Sequence, residues 1–353
     1  MTRTRINKMS FMAGTLLVLA GLILFIQFRR YIPVLKINAS VPFMKDGSTS
    51  PNSIAPTQRP ARTLTPKPII GVGVMGDSNS DEYRAEDSRG GKKHPALNWV
   101  EQLALSRDIN FGPWGTWGEP RRTGYKYNWA RSSATTRSMI TSGQHTGLAK
   151  QVAAGEVSHV VIYIGGADFH LERGTYEEIY NGSLRGRALQ TKIDTIIAEL
   201  TLAVDTLQDA GDVRIVIVSY IDKGLAPETL RRFPNPIGRS RVSKAVQAVN
   251  DGIAAMAEKR QGVAVADMNE YGKTVLSRLT ITGHLDVGGE QISVLERGHE
   301  PHHMQLADRS GHFGTVASGL LANVILVEPF NRAFGLKIEP LSDLEILQNA
   351  GLR

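Results

Sequence analysis

Residues 68–83 read PIIGVGVMGDSNSDEY. Pro68–Met75 (PIIGVGVM) is an uncharged apolar run of strand length, rich in β-branched residues, as expected of a strand buried on both faces. Gly76-Asp77-Ser78-Asn79-Ser80 follows with the small and polar residues of a tight turn. Three more runs share the first pattern: Val157–Ile164 (VSHVVIYI), Val213–Tyr220 (VRIVIVSY) and Val263–Asp267 (VAVAD). Ala96–Ser106, Gly186–Asp209, Val242–Arg260 and Thr315–Phe334 carry apolar residues at helical spacing, and stripes such as Ile193, Ile196, Ile197 and Leu200 are core. Strands alternating with helices predict an α/β fold: a parallel sheet between two helical layers. Ligands of such sheets bind beyond the C-terminal strand ends, where Ser78 falls. Leu279–Leu295, with Gly288-Gly289 in its middle, predicts a small inserted hairpin.

The chain has 353 residues, 41% of them apolar and 21% charged, which excludes wholesale disorder, a collagen-like fibre and a multi-span membrane protein. It has no cysteine, so disulfide scaffolds, thiolate metal sites and cysteine nucleophiles are excluded too. The net charge of +7 is unevenly distributed. Residues 1–68 hold ten basic residues and one acid, against 31 and 33 in the remainder, so the two parts carry +9 and −2. The globular part therefore lacks the basic footprint of a nucleic-acid binder.

From Met9 to Phe28 twenty residues carry no charge, enough to span the ~30 Å hydrocarbon core of a bilayer once as a helix. Gln27-Phe28-Arg29-Arg30-Tyr31 offers no small-residue cleavage site, which favours an uncleaved anchor over a signal peptide. Residues 33–68 contain seven of the sixteen prolines and a single aromatic, Phe43, the composition of a semi-extended tether. The expected organisation is a cytoplasmic tail and transmembrane signal anchor at 1–32, a Pro-rich tether at 33–68, and a domain at 69–353 outside the cytoplasm, periplasmic or at the cell surface. Oligomeric state has no sequence signal here.

Three motifs compete for the chemistry. Gly71-Val-Gly73-Val-Met-Gly76 matches G-x-G-x-x-G, but its glycines fall inside the first strand and Asp77 follows where a pyrophosphate would sit, so dinucleotide binding is disfavoured. His299-x-x-His302-His303 lacks carboxylates at helical spacing and reads as a solvated loop. The third motif is the turn serine, Ser78. Alone it fits a helix cap as well as a nucleophile.

Its company decides. GDSNSDEY at 76–83, NWVEQLA at 98–104, GYKYNWARSSATT at 124–136, IGGADF at 164–169 and HFGTVASGLLAN at 312–323 resemble, in order, the blocks of the SGNH (GDSL-type) hydrolases over roughly residues 69–336. The resemblance implies a three-layer flavodoxin-like domain that hydrolyses esters through a serine, with a histidine base near the C-terminus. It implies Ser78 as nucleophile and His312 as base, and no metal or organic cofactor.

Three departures from the family pattern matter. The acidic partner stands four residues before His312, as Asp308, instead of three, so Gly311 must let the loop bulge; Glu300 with His303 is a lesser pair. The block-two glycine, a main-chain oxyanion donor, is Ser133. The block-three asparagine, a side-chain donor, is Ala167. That leaves the N–H groups of Ser78 and Ser133 as the expected oxyanion hole, with Asn79, Asn128 or the Ser133 hydroxyl as possible substitutes for the missing amide. Asp77, Asn79 and Asp168 are candidate supporting residues, with Asp168 read as a loop tie. Trp114, Trp117 and Tyr125 fit either an acyl or sugar subsite or packing beneath a long loop. The expected function is a membrane-tethered ester hydrolase acting on acyl or acetyl esters, including O-acylated carbohydrate. Transfer of the acyl group to a sugar would use the same residues. The alternative is a non-catalytic SGNH-like module binding a glycan or protein partner.

Overall fold

The computed structural model describes residues 66–85, 89–90, 95–171, 174–224, 226–308 and 311–353. All lie in the unit Thr65–Arg353. The apolar stretch at 9–28 and most of the stretch expected as a tether, up to residue 65, lie outside the described residues. Among the described residues no helix is long and apolar enough to cross a membrane. The first described residues are tied to the fold: Lys67 bonds the carbonyl and carboxylate of Asp212, and the Ile70 N–H donates to Ser158 Oγ at 2.9 Å.

In chain order the described strands are β1 (Val72–Gly76), β2 (Trp114–Thr116), β3 (Thr123–Tyr125), β4 (His159–Tyr163), β5 (Arg214–Val218), β6 (Val263–Ala266), β7 (His284–Val287), β8 (Glu290–Arg297) and β9 (His303–Gln305). The molecule is a mixed α/β fold around a parallel sheet ordered β1-β4-β5-β6. Side chains alternate across it. Val160, Ile162, Ile215 and Ile217 join a core with Leu200, Val204, Val249 and Ile253 of the helices Gly186–Ala210 and Pro236–Glu258. On the opposite face the His159 ring packs against Phe330 and Phe334 of the helix Glu328–Phe334. Helices therefore cover both faces, as uninterrupted apolar strands require.

The outer side of β1 is bonded by irregular chain: Val72 N–H donates to Asn110 O, Val74 N–H to Tyr127 O, and Trp129 N–H to Val74 O. The glycines of the G-x-G-x-x-G stretch permit close packing. A Cβ on Gly73 would stand 2.5 Å from Leu148 of the helix Gln144–Ala153.

β7 and β8 form the predicted hairpin, with β9 added parallel to β8. The expected helix at 242–260 begins earlier, at Pro236, because Asn235 caps it through the Ile237 N–H and Pro occupies its first position. The helical stretch expected at 315–334 is broken into Thr315–Ala322, a π-helical segment Asn323–Val327, and Glu328–Phe334. Pro329, at the start of the last piece, has no N–H to continue an α ladder.

Candidate active site

β1 ends at Gly76, and the chain reverses in a turn built by Asp77. Its Oδ1 accepts the Asn79 N–H at 3.0 Å, and its carbonyl accepts the N–H groups of Ser80 and Asp81. Such Asx geometry fixes the turn locally. The turn is tied to the helix Trp99–Arg107: Trp99 Nε1 donates to Ser80 Oγ at 3.1 Å, and the capping residue Asn98 donates to Asp81 O at 2.9 Å. Ser78 is thereby held at the C-terminal edge of the sheet.

His312 arrives from the other end of the chain. After β9 the Leu306 N–H donates to the His312 carbonyl at 2.8 Å and Gly314 N–H to Met304 O at 2.8 Å, pinching off a loop that carries Asp308. Gly311 adopts φ 62°, a left-handed conformation that absorbs the extra residue before His312. The structure brings three sequence-predicted residues into one chain: His312 Nε2 stands 2.7 Å from Ser78 Oγ, and His312 Nδ1 stands 2.5 Å from Asp308 Oδ2. The His312 main-chain N–H also donates to Asp308 Oδ1 at 3.2 Å. Burial pushes the Asp308 carboxyl up, but the His312 ring hydrogen bond and charge, the His312 N–H and the Arg89 charge together hold it below the usual carboxylate range. Tyr83 presents its ring edge-on to the imidazole, with centroids 6.2 Å apart. The pair Glu300 with His303 forms no comparable arrangement: His303 Nδ1 faces the Glu300 main-chain carbonyl.

The loop 131–134 lies against the same turn. Arg131 N–H donates to Gly76 O, and Ser132 donates its N–H and hydroxyl to Asp81 Oδ2, both at 2.7 Å. Arg89 clamps the two together, with Nη1 on Ser78 O at 2.6 Å and Nη2 on Ser132 Oγ at 2.9 Å. Ser133 has φ 72°, a left-handed position natural to glycine, so its serine carries about 1–2 kcal/mol of backbone strain. The Ser78 N–H donates to no acceptor among the described residues.

No protein-family model matches the chain, and no curated protein sequence does either. Among solved structures it is similar to a carbohydrate esterase family 3 from Talaromyces cellulolyticus, at 14% identity and TM-score 0.40 over 76% of this chain and 99% of that one. It is also similar to an extracellular lipase from Streptomyces rimosus, at 18% identity and TM-score 0.40 over 74% and 99%. A phospholipase A1 from Streptomyces albidoflavus NA297 aligns at 15% identity and TM-score 0.39 over 74% and 98%.

The supporting carboxylates are buried and bonded. Asp77 accepts the Gly166 N–H on Oδ2 at 3.0 Å and Asn79 Nδ2 on Oδ1 at 3.1 Å. Burial raises its pKa, opposed by the Asn79 and Gly166 amides and by the charges of Lys223 and His312. Asp168 accepts the Thr136 N–H and hydroxyl at 3.0 and 2.9 Å, with Tyr220 Oη at 3.4 Å, and so ties its loop to the start of the helix Thr136–Thr141 and to the segment after β5. Burial likewise raises its pKa, with the two Thr136 bonds opposing. Trp114 is 41% exposed, edge-on to Tyr125 and under the Arg84 guanidinium, whereas Trp117 donates its indole N–H to Gly124 O. Sequence reading overlooked Arg89, Asp81, Tyr83 and Lys223. Asp81 and Tyr83 lie inside the quoted GDSNSDEY block, but Arg89 stands in a polar loop with no spacing signal.

Proposed function

We propose that this protein is a serine ester hydrolase, tethered to a membrane through residues 9–28, that acts on acyl or acetyl esters such as O-acylated carbohydrate. The observation that carries this reading is the continuous hydrogen-bonded chain Asp308–His312–Ser78, which joins residues 234 positions apart at the C-terminal edge of the sheet. The resemblance to the SGNH hydrolases and their three-layer flavodoxin-like fold points the same way.

A serine hydroxyl is a poor nucleophile until a base takes its proton, and the base needs a third group to hold its tautomer. His312 Nε2 accepts the Ser78 proton as Oγ attacks the ester carbonyl. Asp308 holds the proton on Nδ1 and stabilises the imidazolium. The tetrahedral oxyanion faces the N–H groups of Ser78 and Ser133, and its collapse expels the alcohol, which takes its proton from His312. Water, deprotonated by the same imidazole, then attacks the acyl-enzyme and releases the acid.

Ala167 supports a second reading, a non-catalytic binding module, because it offers no side-chain donor. Losing one oxyanion donor costs on the order of 10²–10³ in rate, which slows a hydrolase without abolishing it. The test is release of p-nitrophenol from p-nitrophenyl acetate by the full chain. Turnover eliminated by Ser78→Ala is the expected result; equal rates in the two proteins would refute the mechanism.

A further inference from the structure

We infer that the Asn79 side-chain amide serves as the side-chain oxyanion donor, filling the role that Ala167 leaves without one; this rests on the serine-hydrolase reading above. The loop Gly165–Asp168 follows β4 beside the nucleophile turn. Its Gly166 N–H is already committed to Asp77 Oδ2. A Cβ built on Gly166 would stand 3.0 Å from that oxygen and 3.6 Å from Asn79 Nδ2. The Asn79 amide therefore lies against the very loop in which the block-three amide is missing.

Its orientation is fixed by chemistry. Asp77 Oδ1 accepts both the main-chain N–H and Nδ2 of Asn79, at 3.0 and 3.1 Å. Oδ1 already accepts the Asn79 main-chain N–H and Oδ2 the Gly166 N–H, so both carboxyl oxygens face donors and Asn79 turns its NH2 toward them. One amide hydrogen makes that bond. The second makes none among the described residues, and it belongs to the residue directly after Ser78.

Of the other two candidates, Asn128 is spent. Asn128 gives Nδ2 to Ser80 O at 2.7 Å and accepts the Ala130 N–H on Oδ1 at 3.0 Å, so both ends of its amide brace the loop. Ser133 is exposed on its turn, and the reading above draws on it through its main-chain N–H. Preorganised donors of this kind act without reorganising at the moment of reaction, which is where their catalytic value lies.

The experiment measures kcat and KM for p-nitrophenyl acetate with full-length wild type, Ser78→Ala, Asn79→Ala and Asn79→Ala/Ala167→Asn, with melting curves to confirm that each variant is folded. The inference predicts that Asn79→Ala loses roughly 10²-fold in kcat with KM changed less than about threefold, and that adding Ala167→Asn restores at least about tenfold. A purely structural Asn79 would not be rescued from the opposite loop, so a folded single mutant that stays impaired in the double mutant overturns the inference. So does a single mutant as fast as wild type; in both cases a dead Ser78→Ala leaves the hydrolase reading standing. Wild type no faster than Ser78→Ala overturns that reading and the inference with it.

Discussion

Asp308 meets His312 twice: Oδ2 on the ring Nδ1 at 2.5 Å and Oδ1 on the main-chain N–H at 3.2 Å. A four-residue separation within a pinched loop thus gives the same carboxylate both the tautomer and the placement of the imidazole. Asp308→Asn keeps the shape but offers an amide where the ring needs an acceptor. kcat for an activated ester should fall by about 10²–10⁴ with KM little changed. An unaltered kcat would remove Asp308 from the mechanism. Because its folded pKa is depressed, the Asp308 contribution to stability is present above the ordinary carboxylate pKa of about 4 and is lost as pH falls through the folded value.

Ser133 tests the main-chain half of the oxyanion site. Ser133→Gly relieves strain of about 1–2 kcal/mol at φ 72°, offset by roughly 0.5–1 kcal/mol of additional unfolded-state entropy. The N–H donor survives. Ester turnover should therefore be kept or raised, with little change in melting temperature. A tenfold loss of kcat would show that the serine hydroxyl itself contributes.

At the opposite edge of the sheet, burial and the Arg214 and Lys67 charges push the His159 imidazole down to about 4. Its ring lies between Ser158 Oγ, 2.9 Å from Nδ1, and Phe330 with Phe334. The unfolded chain binds this proton near pH 6.5 and the folded chain resists it, so stability present above pH 6.5 is lost as pH falls toward 4. The full effect is on the order of 3 kcal/mol. On acidification from pH 6.5 to 4.5 the melting temperature of wild type should fall relative to that of His159→Leu. A difference constant with pH would contradict this.

The parallel sheet was legible because its four strands are short apolar runs, a pattern that buried strands leave on any sequence. Segments whose order depends on distant partners were not. The Trp114–Thr116 and Thr123–Tyr125 strands are three residues each, and Tyr125 is fixed by its N–H on Glu82 Oε1. At the site, Ser78, His312 and Asp308 were readable as residue types in spaced blocks. The bulge that lets Asp308 reach His312 depended on the backbone at Gly311, and the Arg89 clamp on a loop with no periodicity. Ser133 was visible as a departure from glycine, but its positive φ was not.

The most direct test of the account is the site of labelling by a fluorophosphonate, which phosphonylates only a serine activated by a neighbouring base. Full-length protein should take up one equivalent, with the adduct mapping to the peptide that contains Ser78, and His312→Ala should suppress labelling. Folded wild-type protein that leaves Ser78 unmodified under conditions in which a control serine esterase is fully labelled would contradict the central claim.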